Sequence, residues 1–394
     1  MTKILILGAG QYQVPLIKKA KEMGMYVIVC SIDGNYPGFD YADKVYHVDI
    51  VDTEAVLKIA KAEKIDAITT SGSDVGIPTL GKVCDEIGLM GVSYAAAKAA
   101  ANKSIMKQKF ADGGVKTAKF IIASNYEEAL AAISELRMPV MIKAADLSGS
   151  RGITKIPSLD LVQIKNAVEK IKRVSHNDKF VVEECIEGTE FGAQAMVRDG
   201  KIKFIMPHGD YVFEGDAGVP VGHYVPFELN DKIVKDCLIQ VELGIKALGI
   251  DNCAVNVDFI LRDNEVYVLE IGARAGATCL PEMVALYYGI DFYRYIIELA
   301  LGKDINDIKS EVLTPNVCKL LISHETGIIK DILIPQNLSD NVYDVSCDYK
   351  VGHKVKKFRI GPDRIGQVIV KGTSLKEAEA EINELMSQIK IVVE

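Results

Sequence analysis

The chain has 394 residues, of which 49% are apolar and 25% charged, with 46 lysines and arginines against 54 acids and a net charge of −8. At roughly 100–200 residues per domain this predicts two to four domains, and the ordinary composition excludes long disorder, a collagen-like fibre and a coiled coil. The absence of a basic cluster argues against a nucleic-acid partner, and no apolar run approaches the roughly 20 residues of a membrane span.

The first residues, MTKILILGAG, read as a strand and a turn and not as a cleaved signal peptide. Strands are predicted at 3–7, 26–30, 45–48 and 67–70, and helices at 13–23, 54–63 and 80–87. Strands alternating with helices predict a parallel sheet that ends near residue 95. One helix is expected over the alanine- and lysine-rich stretch 95–111. Strands follow at 120–122, 140–144, 153–156 and 180–184, and helices at 126–135 and 159–173. Residues 191–197, 201–206 and 222–225 look antiparallel. A helix over 231–248 leads to a hairpin of 253–261 and 266–271, and a helix at 291–301 should stop at Gly302. Strands at 319–323 and 367–371 precede a last helix at 375–389. The eight cysteines form no CxxC pair, and scattered thiols of this kind fit a reduced cytoplasm.

Four stretches carry candidate chemistry. Gly8-Ala9-Gly10 follows the first strand, where glycines permit a tight turn into a helix N-terminus. The dinucleotide pattern needs a third glycine where Gln13 stands, although Asp33 is placed to hold a ribose. Lys143 ends a strand that runs into the small-residue loop Leu147-Ser148-Gly149-Ser150-Arg151-Gly152. Backbone N–H groups of such a loop can lie against phosphate oxygens, and a flexible surface hairpin is the other reading. Glu183, Glu184, Glu187 and Glu190 crowd the end of another strand. Its backbone suits a purine edge and its acids suit sugar hydroxyls or a metal, against the alternative of a solvated acidic turn.

The fourth stretch is the hairpin VNVDFIL-R-DNE-VYVLEI. If its loop takes residues 263–265, Arg262 faces Val266, and Asp258 lies directly across from Glu270. Like charges so placed repel unless a cation sits between them, and hard carboxylate oxygens select Mg²⁺. A two-residue loop would break this register.

Taken in order, these residues resemble the ATP-grasp superfamily over nearly the whole chain, with Lys103 in AANKSIMKQKF, Lys143 and its loop, VVEECIEGTEF, and NVDF…VYVLEIGARAG. The resemblance implies an α/β protein in three parts. These are a Rossmann-like N-terminal domain over 1–95, a two-lobed α+β nucleotide-binding module over 96–312 with a lid at about 112–186, and a strand-rich C-terminal domain over 313–394. It implies that Lys103, Lys143, Ser148, Gly149, Ser150 and Gly152 hold ATP phosphates. Glu183, Glu184, Cys185 and Ile186 form the adenine hinge, and Glu190 takes the ribose. Asp258 and Glu270 ligate Mg²⁺, with Mn²⁺ as an alternative, and Arg274 faces the acyl phosphate or substrate. Gly10, Gln11, His208, His223 and Asn256 are further substrate candidates, and Tyr211 and Glu214 more distant ones.

One departure is Gly272, where family members often carry asparagine; Asn256 is the candidate substitute. The C-terminal stretches around Gly327, Gly352, Arg364–Val370 and Gly372–Ala378 look like the closing domain of amino-acid ligases, with biotin carboxylase sharing the overall plan. The expected activity is an ATP-dependent carboxylate–amine ligase acting through an acyl phosphate, with small-molecule substrates, no nucleic acid, no membrane, and a homodimer as relatives of this kind often form. Rival readings are an ATP-grasp carboxylase or carboxyphosphate-forming enzyme, an NAD-dependent dehydrogenase using Gly8–Gly10, and a non-catalytic nucleotide-binding regulator.

Overall fold

The computed structural model describes residues 1–149, 151–213, 218–305 and 313–394. In chain order the elements begin β1 (Lys3–Leu7), α1 (Val14–Glu22), β2 (Tyr26–Ser31), β3 (Lys44–His47), α2 (Thr53–Glu63), β4 (Ala67–Thr69), α3 (Ile77–Ile87), α4 (Tyr94–Ala100) and α5 (Lys103–Asp112). They continue with β5 (Phe120–Ala123), α6 (Tyr126–Glu135), β6 (Val140–Ala144), β7 (Ile153–Ile156), α7 (Leu161–Val174), β8 (Phe180–Glu184), β9 (Thr189–Arg198), β10 (Lys201–Phe213) and β11 (Val219–Val225). Next come α8 (Asp231–Leu248), β12 (Cys253–Arg262), β13 (Glu265–Gly272), α9 (Leu280–Tyr288), α10 (Phe292–Ala300), β14 (Asn316–Leu321) and β15 (Gly327–Leu333). The last are β16 (Val342–Cys347), β17 (Lys354–Val355), β18 (Gly366–Lys371), α11 (Leu375–Gln388) and β19 (Lys390–Val393).

These elements form two compact units, interleaved along the chain. The first takes residues 1–205, 229–275 and 293–306, and the second 206–228, 276–292 and 307–394.

In the first unit, β3-β2-β1-β4 make an all-parallel sheet. β1 and β2 are buried almost throughout, as parallel strands covered on both faces should be. A second sheet, β5-β8-β6-β7, is antiparallel and packs α6 and α7 around Ile142, Val168, Phe180 and Val182. β13, β12 and β9 pair antiparallel beside α8. The single helix expected over 95–111 is two: Asn102 accepts from the Ile105 N–H (3.1 Å), capping α5 and breaking the alanine run. Lys103 is thereby the first residue of α5.

In the second unit, the later part of β10, then β11, β14, β18 and β16 lie side by side, antiparallel at each described pairing. α11 lays Ala378, Ile382 and Leu385 against Val317, Val368 and Val370. β17, β15 and β19 form a small separate sheet. β10 runs well past the expected 201–206, to Phe213.

Candidate functional site

The hairpin β12–β13 is built differently from the sequence expectation and reaches the same pairing. Its loop is the two residues Asp263-Asn264, both left-handed at φ 51° and 59°, so Arg262 faces Glu265 and not Val266. The ladder then runs Leu261 with Val266, Ile260 with Tyr267 and Phe259 with Val268. There the register shifts, leaving Leu269 as an extra residue, and Asp258 pairs with Glu270. The shorter loop and the bulge cancel. Asp258 is exposed and Glu270 half-buried, on one face of the hairpin.

A cation is already drawn to this pair. Lys103 Nζ lies 3.0 Å from Glu270 Oε1 and donates to Leu147 O at 2.8 Å, while the Lys103 N–H donates to Ala145 O at 2.7 Å. Lys103 thus ties Glu270 of the hairpin to the start of the loop after β6. Asn256 Nδ2 donates to Asp258 Oδ1 at 3.0 Å, and its Oδ1 accepts from Gln194 at 2.6 Å. Asn256 therefore orients Asp258, and its oxygen is already engaged. Two opposed carboxylates with oxygen-only donors beside an ammonium fit a hard divalent ion such as Mg²⁺.

Lys143 and Glu183 meet because β6 and β8 are neighbours in the antiparallel sheet: Lys143 faces Val181 directly, and Glu183 is two places along β8 on the same side. Lys143 Nζ is ion-paired with Glu183 Oε1, and Lys107 Nζ lies 2.8 Å from Glu183 Oε2. Burial works against the charge of Glu183, yet Lys107 and Lys143 hold its carboxyl down to about 2. Burial also works against the charge of Lys143, and Glu183 together with Glu270 and Glu190 outweighs it and raises that ammonium.

The loop residues Ser148, Gly149 and Gly152 join β6 to β7. Gly149 (φ +64°) has open space where a side chain would stand. Gly152 (φ +68°) packs against Ala144, which donates its N–H to Gly152 O at 2.9 Å. Ser150 lies outside the described residues, as does Glu214.

In the proposed hinge, the side chain of Glu183 is spent between two lysines. The N–H groups of Glu184 and Cys185 donate to Lys119 O and Pro139 O. Ile186 follows beyond the end of β8, and Glu190 is exposed at the start of β9, opposite Ile260.

Arg274 Nη2 donates to Asp74 Oδ2 at 2.7 Å, and its Nε is buried without a hydrogen bond. A side chain at Gly272 would meet Asp74 Oδ1 at 3.0 Å and the Arg274 guanidinium at 3.5 Å. Asp74 and Arg274 therefore take the space that an asparagine at 272 would need. Sequence reasoning missed Asp74, which belongs to no quoted motif, and Lys107, which lies inside AANKSIMKQKF but was passed over in favour of Lys103.

Gly8 and Gly10 are closed over by Gln13. Its Oε1 accepts from the Gly10 N–H (3.0 Å), its Nε2 donates to Ser71 O (2.5 Å), and a Cβ at Gly8 would lie 3.0 Å from it. The turn is filled by protein, Gln11 beside it is part-exposed, and Asp33 is exposed near His47. The dehydrogenase alternative finds no support in this turn.

His208 and His223 do not lie with these residues in the first unit. In the second unit their Nδ1 atoms sit 2.9 and 2.6 Å from the same oxygen of Asp210, with the rings T-shaped at 4.9 Å. Burial pushes His223 down, and the two imidazoles hold the Asp210 carboxyl well below the usual range against its own burial. Tyr211 donates to Glu379 at 2.6 Å.

Residues 101–278 match the profile of the phosphoribosylglycinamide synthetase ATP-grasp (A) domain, and 319–394 that of the L-amino acid ligase C-terminal domain 2. An alanine–anticapsin ligase of Bacillus subtilis is 25% identical over 73% of this chain, a match that spans 63% of that relative's length. A phosphoribosylamine–glycine ligase of Lactococcus lactis is 28% identical, covering 77% of this chain and 76% of the relative. The crystal structure of phosphoribosylglycinamide synthetase from Anaerococcus prevotii superposes with a TM-score of 0.84 at 35% identity, over the full length of both chains. ATP with Mg²⁺ is the general requirement of such proteins. The full-length match at 35% identity and the ATP-grasp profile decide the family: this chain belongs to the ATP-grasp superfamily.

Proposed function

We propose that the protein uses ATP to activate a small carboxylate as its acyl phosphate and joins it to an amine, releasing ADP and phosphate. The observation that carries this reading is the cross-strand pair Asp258 and Glu270, with Glu270 tied through Lys103 to the loop after Lys143. A carboxylate is a poor electrophile because its charge is delocalised. Transfer of the γ-phosphoryl group makes a mixed anhydride that an amine can attack. For such a transfer the protein mainly positions groups and neutralises charge.

In this reading Lys103, Lys143 and the backbone of Ser148, Gly149, Ser150 and Gly152 hold the phosphates. The backbone at Glu183–Ile186 receives the adenine and Glu190 the ribose. Asp258 and Glu270 would hold Mg²⁺ or Mn²⁺, which when bound supplies neutralisation of phosphate charge. Arg274, fixed by Asp74, orients the carboxylate, a task suited to a guanidinium fork. Gly10, Gln11 and Asn256 are the first unit's candidates for substrate contact, with Asn256 acting through Asp258, and His208 and His223 are separate candidates carried by the second unit.

The amino-acid ligase profile at the C-terminus, and relatives named for ligating alanine and glycine, support an amino acid as one substrate. The reading keeps domains at 1–95, 96–312 and 313–394, a cytoplasmic setting and a homodimer. No helix among the described residues is long and apolar enough to cross a membrane.

Phosphate release should be screened with ATP, Mg²⁺ and pools of amino acids, small acids and bicarbonate. Release stimulated by an amino acid pool is expected; release driven by bicarbonate alone would select a carboxylase instead. Asp258→Asn and Glu270→Gln should each lose ATP turnover by about a hundredfold or more while staying folded. Rates within threefold of the parent for both variants would remove the metal role.

A further inference from the structure

Lys107 follows Lys103 by one helical turn on α5, so the two project from the same face. Lys103 goes to Glu270, and Lys107 goes inward. Only 2% of Lys107 and 1% of Glu183 are exposed, so neither side chain is open to a solvent-borne ligand. Lys107 has two fixed partners: Glu183 Oε2 at 2.8 Å and Thr117 Oγ1 at 2.6 Å. The Thr117 hydroxyl in turn donates to Val268 O at 2.7 Å, on the hairpin strand that carries Glu270. The side chain of Lys143 is 13% exposed and is the only member of the trio with more than a few per cent of its surface open.

We infer that Lys107 is a positioning residue, which neutralises Glu183 and so leaves the charge of Lys143 available to the nucleotide phosphates. The inference rests on the reading of Lys143 as a phosphate ligand. Two lysines share one carboxylate, so the trio carries a net charge of +1. Without Lys107 the trio is a neutral Lys143–Glu183 pair. Turning Lys143 toward a phosphate would then strand a buried carboxylate with no partner, which is among the more costly events in a protein interior. With Lys107 in place, Glu183 keeps one cation whatever Lys143 does. The arrangement lets a buried acid hold a lysine in line without cancelling it.

The test is a charge cycle on the full chain: the parent, Lys107→Met and the double variant Lys107→Met/Glu183→Gln. ATP affinity with Mg²⁺ is measured by calorimetry, KM and kcat by phosphate release, and folding by thermal melting. Lys107→Met should stay folded, since Lys143 still pairs with Glu183. It should weaken ATP binding about tenfold or more, with KM rising more than kcat falls. The double variant removes the acid that captures Lys143, and should return ATP affinity to within about threefold of the parent. A purely structural role predicts lower melting temperatures and no such rescue. Parent-like ATP affinity in Lys107→Met, or a folded double variant that still binds about tenfold more weakly than the parent, overturns the inference. If Lys107→Met does not fold, the double variant alone decides by the same criterion. A parent chain that takes up no ATP removes the phosphate-site reading first and this inference with it.

Discussion

At the scale of single residues, the chemistry of the site is mostly a matter of side chains kept from one another by a third. Glu183 stands between two lysines, Asn256 between Gln194 and Asp258, and Asp74 against Arg274. Gln13 does the same for the first turn, where Gly8 adopts φ +93° under its side chain. Gly8→Ala should therefore cost about 1–3 kcal/mol of stability, from strain at positive φ and crowding against Gln13, while ATP affinity stays within about twofold. Melting and calorimetry on the same variant check this, and a lost ATP site in a stable protein would move the nucleotide to the first sheet. The motifs singled out Lys103, Lys143, Asp258 and Glu270 in the sequence, and the structure pairs Asp258 with Glu270 and sets Lys103 against Glu270. Lys107 was not singled out, because a lysine among lysines on a helix reads as a solvated face. Gly272 was legible as a departure, but the side chains that fill its space come from remote segments.

Among the elements, the β12–β13 hairpin shows how a correct pairing can follow from an incorrect count. The apolar runs and turn residues marked the hairpin plainly. The loop is one residue shorter than the pairing required, and Leu269 restores the register from inside the strand. A bulged leucine is invisible in sequence, since it looks like any other apolar strand residue. The helix expected over 95–111 failed for a different reason: alanine propensity favours continuation, but Asn102 accepts a backbone bond and starts a new helix. That break places Lys103 at a helix start, beside the loop it holds. The turn supports a prediction. Asn264 sits at φ 59°, so Asn264→Val should lower stability by about 1–2 kcal/mol, and Asn264→Gly should leave stability equal or slightly higher. Both should retain ATP turnover if they stay folded; equal melting for the valine and glycine variants would contradict the left-handed turn.

On the scale of the whole molecule, the parallel sheet, the strands of residues 120–184 and the strand-rich end were each legible from local pattern, but the antiparallel pairing within 120–184 was not. Neither was the interleaving, because it depends on which distant strands pair. β14 has β11 on one side and β18 on the other, so residues 313–394 do not contain all the strands of their own sheet. Expressed alone, that segment should expose the β14 edge and form large aggregates, whereas the full chain should form nothing larger than the proposed dimer. Light scattering of the two at equal concentration checks this, and a monodisperse, cooperatively melting fragment would show that β11 is dispensable.

The same pairing also sets a schedule during synthesis. His223 of β11 is matched with Cys318 of β14, so the ribosome must add 95 more residues before that partner exists. At about 5–20 residues per second the wait is roughly 5–20 s, long compared with hairpin formation in microseconds. Through that interval the nascent chain carries an open strand edge that chaperones or neighbouring chains can occupy. Slowing translation across 224–318 should therefore raise the share of product lost to aggregation more than slowing it after β18 has emerged.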